Sequence, residues 1–429
     1  MKLSRATLLA SSAMFALVLA SVMWGRRVQT DARVKLGAAP LVGAWKWRPG
    51  FGTLLPIAVG IVALVALPRI ASRARFALAV ASTSVGAVAF TLALAASDGW
   101  SHVLDAVVHP TEYWANLATL PPAGDMLRHY GTIDFLLKYS VHAKGHPPAF
   151  FLLLKTLSAV GLGHPWVAGA LSYIGVAVLP VAVLLTVRAV TSENAARTTA
   201  PFLALAPYAV WMGTSADALY TAVAAWGVAC LTLALHTASR RNRWILAFSG
   251  GLALAVGLFF TYGLVPFLLL PVIITIALRP SRHVIFETAG LAFAAAALVT
   301  ITFRVTGFWW FDGVRTTRTF YWWGTAQYRP WRYFLVGNLG SSLIAVGPVV
   351  ALGLAALRQR TIWWIVGGGL FCLLVADVSQ YSKGEVERIW LLFFPWLIPA
   401  VVALPKRRAL LAIHATSAVV LQTWLVSKW

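Results

Sequence analysis

Apolar runs of about twenty residues, parted by short polar turns, recur from one end of this chain to the other, and no soluble core could absorb so many. The first, Ala6 to Trp24, follows Lys2 and Arg5 and has the length and flanking charge of a helix entering a bilayer from the cytoplasm. A cleaved signal peptide is the rival reading, because Ala20 and Ser21 end the run, but the run exceeds the usual apolar core of such peptides. Further apolar segments lie near 53–67, 76–97, 166–189, 198–211, 217–237, 244–259, 261–278, 284–305, 333–356, 361–378, 389–404 and 409–426. The pattern predicts an all-α polytopic membrane protein with roughly 13 transmembrane helices, forming one integral domain over 1–429. No repeat, linker or low-complexity segment marks a separate soluble domain. The run 149–162 is too short for a span and is bracketed by His-Pro-Pro and Gly-His-Pro, so it is expected to lie on or dip into the membrane surface as a juxtamembrane helix.

That choice sets the sidedness of everything downstream. The short loops carrying Arg69, Arg73 and Arg75; Arg188 and Arg197; Arg240, Arg241 and Arg243; Arg279 and Arg282; Arg358 and Arg360; and Lys406, Arg407 and Arg408 then share one side, which the positive-inside rule makes cytoplasmic. The opposite face receives 25–52, 98–165, 306–332 and 379–388. Of the 13 acidic residues only Glu193 and Glu287 fall clearly to the cytoplasmic side. Chemistry is therefore expected outside. One interval breaks the rule: 25–52 sets Arg26, Arg27, Arg33, Lys35, Lys46 and Arg48 against Asp31. Either the first two segments are misplaced, or these cations meet a lipid phosphate or pyrophosphate there.

Composition narrows the function classes. With 60% hydrophobic and 11% charged residues and a mean hydropathy of +0.78, the formal charge of +22 is explained first by topology and anionic lipid, so no nucleic-acid partner is expected. Cys230 and Cys372 each sit inside an apolar run, which leaves neither a disulfide framework nor a thiolate metal motif.

The polar interval from Ser97 to Pro148 gathers five carboxylates, Asp98, Asp105, Glu112, Asp125 and Asp134, and five histidines, His102, His109, His129, His142 and His146. Asp98 emerges directly from an apolar helix and is placed to act as a general base, although capping that helix end with Gly99 is the plainer role. His142 and His146 have the i, i+4 spacing of a metal pair on a helix, but Gly145, Pro147 and Pro148 argue against a continuous helix, and no metal site is assigned. The third alternative is a solvated cap whose tyrosines and tryptophans sit in the interfacial belt.

Two later intervals add cations. Between 306 and 332, Trp309, Trp310, Trp322, Trp323 and Trp331 interleave with Arg315, Arg318, Arg329 and Arg332, opposed only by Asp312. That suits sugar stacking and phosphate clamping, or an aromatic belt with arginines reaching headgroups. Lys383, Glu385, Glu387 and Arg388 crowd the mouth of a span, where charges are costly unless paired or used.

A carboxylate after an early membrane helix, a long outer loop, and the Lys144-Gly145-His146-Pro147-Pro148 start to a short apolar helix resemble the GT-C superfamily of membrane glycosyltransferases, which includes protein O-mannosyltransferases and lipid A aminoarabinose transferases. Lys383-Gly384-Glu385-Val386-Glu387-Arg388-Ile389-Trp390 is similar to a stretch of uncharacterised actinobacterial members. The resemblance implies a multi-pass cell-membrane enzyme that moves a sugar, with inversion, from a polyprenyl-phosphate carrier to a glycan, lipid or protein acceptor on the extracytoplasmic face. It implies Asp98 as base, with Glu112 and Asp105 as further catalytic carboxylates. His142, Lys144, His146, Arg315, Arg318, Lys383, Glu385, Glu387 and Arg388 would contact substrate. No cofactor is implied beyond the lipid-linked donor and an optional divalent cation. In the family the catalytic loop follows the first span, whereas here it follows the third predicted one. The rival functions are a polytopic transporter and a lipid-linked glycan flippase or ligase, for which Asp217 and Asp377 are the deep ionisable candidates.

Overall fold

A computed structural model describes residues 4–213, 215–405 and 407–427. The chain is helical almost throughout. In order, the main helices are α1 (Arg5–Val28), α2 (Leu54–Arg73), α3 (Phe76–Ala95), α4 (Ala149–Ala159), α5 (Pro165–Val190), α6 (Glu193–Ala204), α7 (Ala216–His236) and α8 (Arg240–Phe260). They continue with α9 (Leu269–Leu278), α10 (Arg282–Val305), α11 (Trp310–Trp323), α12 (Trp331–Val346), α13 (Pro348–Ala356), α14 (Arg360–Val378), α15 (Val386–Ile389) and α16 (Arg407–Trp424). Two minimal antiparallel pairs complete the fold: β1 (Gly37–Ala38) with β2 (Leu41–Val42), and β3 (Ala44–Trp45) with β4 (Leu425–Val426).

Eight helices, α1, α2, α3, α5, α7, α8, α10 and α14, are long and apolar enough to cross a membrane, and the number rises to 10 if each of two bent pairs counts as one span. The described residues therefore form an all-α chain of polytopic membrane type, but not with 13 regular spans. The shortfall has two physical causes: proline and glycine interrupt four apolar runs that hydropathy reads as continuous, while the predicted span 409–426 is the unbroken helix α16, whose 18 residues include Arg407, Arg408, His414 and Gln422 and are not apolar enough to count as a span. The predicted span 333–356 bends by 102° between α12 and α13 at Gly347-Pro348, and 389–404 becomes short 3-10 turns bent by 65° around Pro395 and Pro399. Helix α6 ends before a turn at Pro207, and 261–278 is a short helix opened by Pro266. Helix α4 is real, and too short to cross.

Small residues let the long helices approach. A Cβ at Gly175 of α5 would lie 2.6 Å from the carbonyl carbon of Ala218 in α7, and one at Gly251 of α8 would lie 2.4 Å from Cα of Ala292 in α10. Gly175 meets Ala218 and the Trp226 indole donates to Val178 O at 3.1 Å, so α5 and α7 run in the same direction. Helix α7 thus starts at the end of the bundle where α5 begins. At the other end, Arg197 donates to the carbonyls of Ala71 and Ala74, both at 2.8 Å, and Glu193 accepts from Arg188 and Arg197.

Candidate functional site

The interval after α3 contains five short α-helical turns, Asp105–Val108, Trp114–Leu117, Ala123–His129, Ile133–Leu136 and Val141–Gly145, the first four parted by proline or glycine. Asn116, buried in the second turn, clasps the start of the fifth: its Nδ2 donates to Ser140 Oγ at 2.7 Å and its Oδ1 accepts from Ser140 N at 2.9 Å. That double bond aims His142 inward. His142 Nδ1 lies 2.7 Å from Thr111 O and 3.2 Å from Glu112 Oε1, and Tyr113 stacks on the imidazole. Tyr113 also packs edge-on against His146, Phe150 and Phe151, joining this turn to the start of α4.

Burial sets the protonation states. The Glu112 carboxyl is pushed up to about 7, chiefly by loss of water, against the pull of Arg388. His142 falls well below the usual imidazole range, by burial and then by Arg388, and His146 falls for the same leading reason. Both imidazoles are neutral, so the His142–Glu112 contact is not an ion pair, and the hydrogen bond of Nδ1 goes to Thr111 O.

The second half of the cluster comes from far along the chain. Asp217 sits in the first turn of α7, where the helix dipole favours a carboxylate, and its Oδ2 accepts from Ser215 Oγ at 2.8 Å. Arg388 in α15 reaches across to that Oδ2 at 2.6 Å, with Glu385 Oε2 at 4.0 Å on its other side. Arg388 and Asp217 are only 5% and 7% exposed, so the pair is shielded from water. Glu112 lies within the electrostatic range of both charges, Arg388 favouring its ionised form and Asp217 opposing it. Tyr220, one turn into α7, brings its ring beside His146, Phe150 and Phe260.

The loop before α15 is held open by unusual backbone. Gln380, Gly384 and Glu385 all have positive φ. Asn338 of α12 pins this loop on both sides: its Nδ2 donates to Asp377 Oδ1 at 2.9 Å and Ser382 O at 2.8 Å, and its Oδ1 accepts from Gly384 N at 3.0 Å. Arg329, also buried, donates to Val34 O, Lys383 O and Glu385 Oε1. Lys383 donates to Ala326 O at 3.2 Å and lies 4.4 Å over the Trp322 ring, its pKa lowered by burial and by Arg329.

Of the residues singled out by sequence, Glu112, His142, His146, Glu385 and Arg388 come together. Lys144, 5.5 Å over the Phe320 ring, and the buried Lys383, 4.4 Å over the Trp322 ring, lie against aromatic side chains of α11. Glu387 turns the other way, its Oε1 accepting from Val42 N at 2.8 Å while Oε2 is buried without a hydrogen-bond partner. Asp98 lies apart and half in solvent, bound by Arg48 at 2.6 Å beside Gln422. Asp105 is exposed and bonded to His102 at 2.7 Å. Arg315 and Arg318 are exposed on α11. Sequence reasoning gave Asp217 only to the transporter alternative and did not single out Tyr220, Asn116 or Asn338; nothing local to these residues marks them. Among the described residues no group of three or more His, Cys, Asp or Glu side chains is set to hold a metal ion. The chain matches no model of a known protein family, no curated protein and no solved structure.

Proposed function

We propose that this chain is a membrane glycosyltransferase that moves a sugar from a polyprenyl-phosphate donor to an acceptor on the extracytoplasmic face, with Glu112 rather than Asp98 as the general base. The observation that carries the reading is the buried Glu112 carboxyl, 3.2 Å from His142 and raised to about 7 by loss of water. A base works best when its pKa lies near the operating pH, and a site shielded from water strengthens the field of each fixed charge. In the reaction the acceptor hydroxyl oxygen forms a bond to the anomeric carbon and its proton passes to Glu112. The bond from that carbon to the phosphate oxygen breaks, and the electron pair leaves on polyprenyl phosphate. Arg388 is the cation within the cluster that would meet this charge, and Lys144, two residues after His142, is the next candidate. Asp98 is less suited, because Arg48 already holds it and water reaches it.

An apolar groove of about 530 Å³ between α3 and α5 also supports a lipid-linked substrate. Leu92, Leu104, Trp166 and Tyr173 line it, and a Cβ at Gly213 would stand 3.3 Å from the Tyr173 hydroxyl, four residues before Asp217. A second reading, a transporter or lipid flippase, draws on the two bent helix pairs and on Asp377 buried against Asn338. The deciding experiment supplies a polyprenyl-phosphate sugar and a mixed glycan, lipid and peptide acceptor pool to reconstituted protein. The transferase releases polyprenyl phosphate, and Glu112→Gln abolishes that release in a folded protein. Movement of intact lipid-linked donor across the bilayer, with no release, would establish the second reading instead.

A further inference from the structure

We propose that α11 is seated in the headgroup layer of an anionic bilayer, and that its phospholipid partner braces the candidate site. Helix α11 joins the end of α10, an apolar helix long enough to span, to the start of α12, so it is held where apolar helices stop. Its inner face holds backbone from three segments. Thr316 Oγ1 donates to Gly131 O at 2.6 Å, Thr317 Oγ1 to Lys144 O at 2.8 Å, and the Tyr321 hydroxyl to Gln380 O at 2.8 Å. The last two carbonyls belong to the loops that present His142 and Arg388.

Its outer face carries Phe311, Arg315, Arg318 and Trp322 at i, i+4, i+7 and i+11, one continuous helical stripe, with Trp323 alongside. All five are exposed, Phe311 by 53% and Trp323 by 58%. A helix face turned to bulk water does not favour a phenylalanine and two tryptophans, whereas the bilayer interface does. The charge fits the same partner. Besides Arg329, which is buried against the loop before α15, the interval 304–332 carries four exposed arginines, Arg304, Arg315, Arg318 and Arg332, against the single carboxylate of Asp312. Asp312 touches Arg315 only at 3.4 Å in the open, a weak exposed pair that leaves the guanidinium available to a phosphodiester. Seating the outer face fixes the inner one, and through it the carbonyls of Lys144 and Gln380.

This inference rests on the apolar helices and not on sugar transfer, so it is tested without a turnover assay. A nitroxide on Phe311→Cys is placed by power-saturation measurements in vesicles of phosphatidylcholine alone and of phosphatidylcholine with phosphatidylglycerol; the parent chain, whose Cys372 is buried and Cys230 half-buried, supplies the background signal. The label is expected at phosphate depth or below in the mixed vesicles and shallower in phosphatidylcholine. Arg315→Gln with Arg318→Gln, both at exposed positions, is expected to remove that difference, since each arginine near an anionic surface counts for about five-fold in association. A label in bulk water in both vesicles, a depth indifferent to phosphatidylglycerol, or a depth unchanged by the double substitution would overturn the proposal.

Discussion

Asp217 and Arg388, 171 positions apart, meet at 2.6 Å between the first turn of α7 and the short helix α15, with Glu385 beyond the guanidinium. A buried pair of this kind binds two distant parts of the chain and fixes the position of one strong cation. Its energetic signature is asymmetric: the intact pair is worth little over an apolar substitute, while loss of one partner strands a charge.

Replacing Arg388 by Met should therefore lower the thermal stability of the detergent-solubilised protein markedly, by about 3–5 kcal/mol, because the Asp217 carboxyl is left buried without its cation. Asp217→Asn should cost a comparable amount. The double variant should recover much of the loss, giving a coupling above about 1 kcal/mol in the double-mutant cycle. Strictly additive losses would mean that the two side chains do not share an interaction.

Glu112 gives a pH dependence of definite sign. Its carboxyl is protonated in the folded chain up to about 7, so the transfer rate should climb about ten-fold per pH unit below that point and level off above it. His142 and His146, both lowered by burial, should add no inflection near neutrality. Stability runs oppositely. Between the ordinary value of 4.5 and about 7 the unfolded chain has released a proton that the folded chain retains, so folding stability falls as pH rises through that window. Glu112→Gln should abolish transfer and reduce this fall without removing it, because the fully buried Glu387 carboxyl contributes in the same sense, and a fall undiminished in the variant would assign it to Glu387.

The parts of the fold and site that were legible in sequence are those with local signals. Apolar runs announced the long helices, and Pro147-Pro148 correctly marked the break before α4. The polar stretch after α3 and the charged run Lys383 to Arg388 each supplied a half of the cluster. What was not legible depends on partners distant in sequence. Asp98 and Glu112 are both carboxylates in one loop, and only the approach of Arg48 to the first and the burial of the second separate them. Nothing near Asn338 in the sequence marks its role, since the Gly384 amide that it accepts from lies 46 positions on. The span count fell short in part because mean hydropathy scores Gly347-Pro348 as part of an apolar run, although the pair turns the chain by 102°.

Asp98→Asn separates the two carboxylates by experiment. The Arg48–Asp98 pair is partly open to water, with side chains 25% and 36% exposed, so its removal should cost no more than about 1 kcal/mol. Transfer activity should stay within about two-fold of the parent chain, because Asp98 lies outside the Glu112–Arg388 cluster. Complete loss of transfer in a protein of unchanged melting temperature would return the role of base to Asp98.

Asn338 offers the sharpest test of how the Arg388 half of the site is held. Its amide satisfies the Asp377 carboxylate, Ser382 O and Gly384 N at once, and all of these meet it inside the protein. Leucine is close in volume but offers no polar atom, so Asn338→Leu leaves a carboxylate and two backbone groups without this partner. The expected loss is on the order of 2–4 kcal/mol in unfolding free energy. The damage should also be local. With the loop 380–385 released, Glu385 and Arg388 lose their fixed places, while Asn116, Ser140 and His142 retain theirs. Hydrogen exchange should accordingly speed up at Gly384 and Arg388 and stay unchanged at Ser140 and His142. Uniform acceleration across both halves would show that the cluster opens as a single unit, and that Asn338 supports the bundle as a whole rather than this loop.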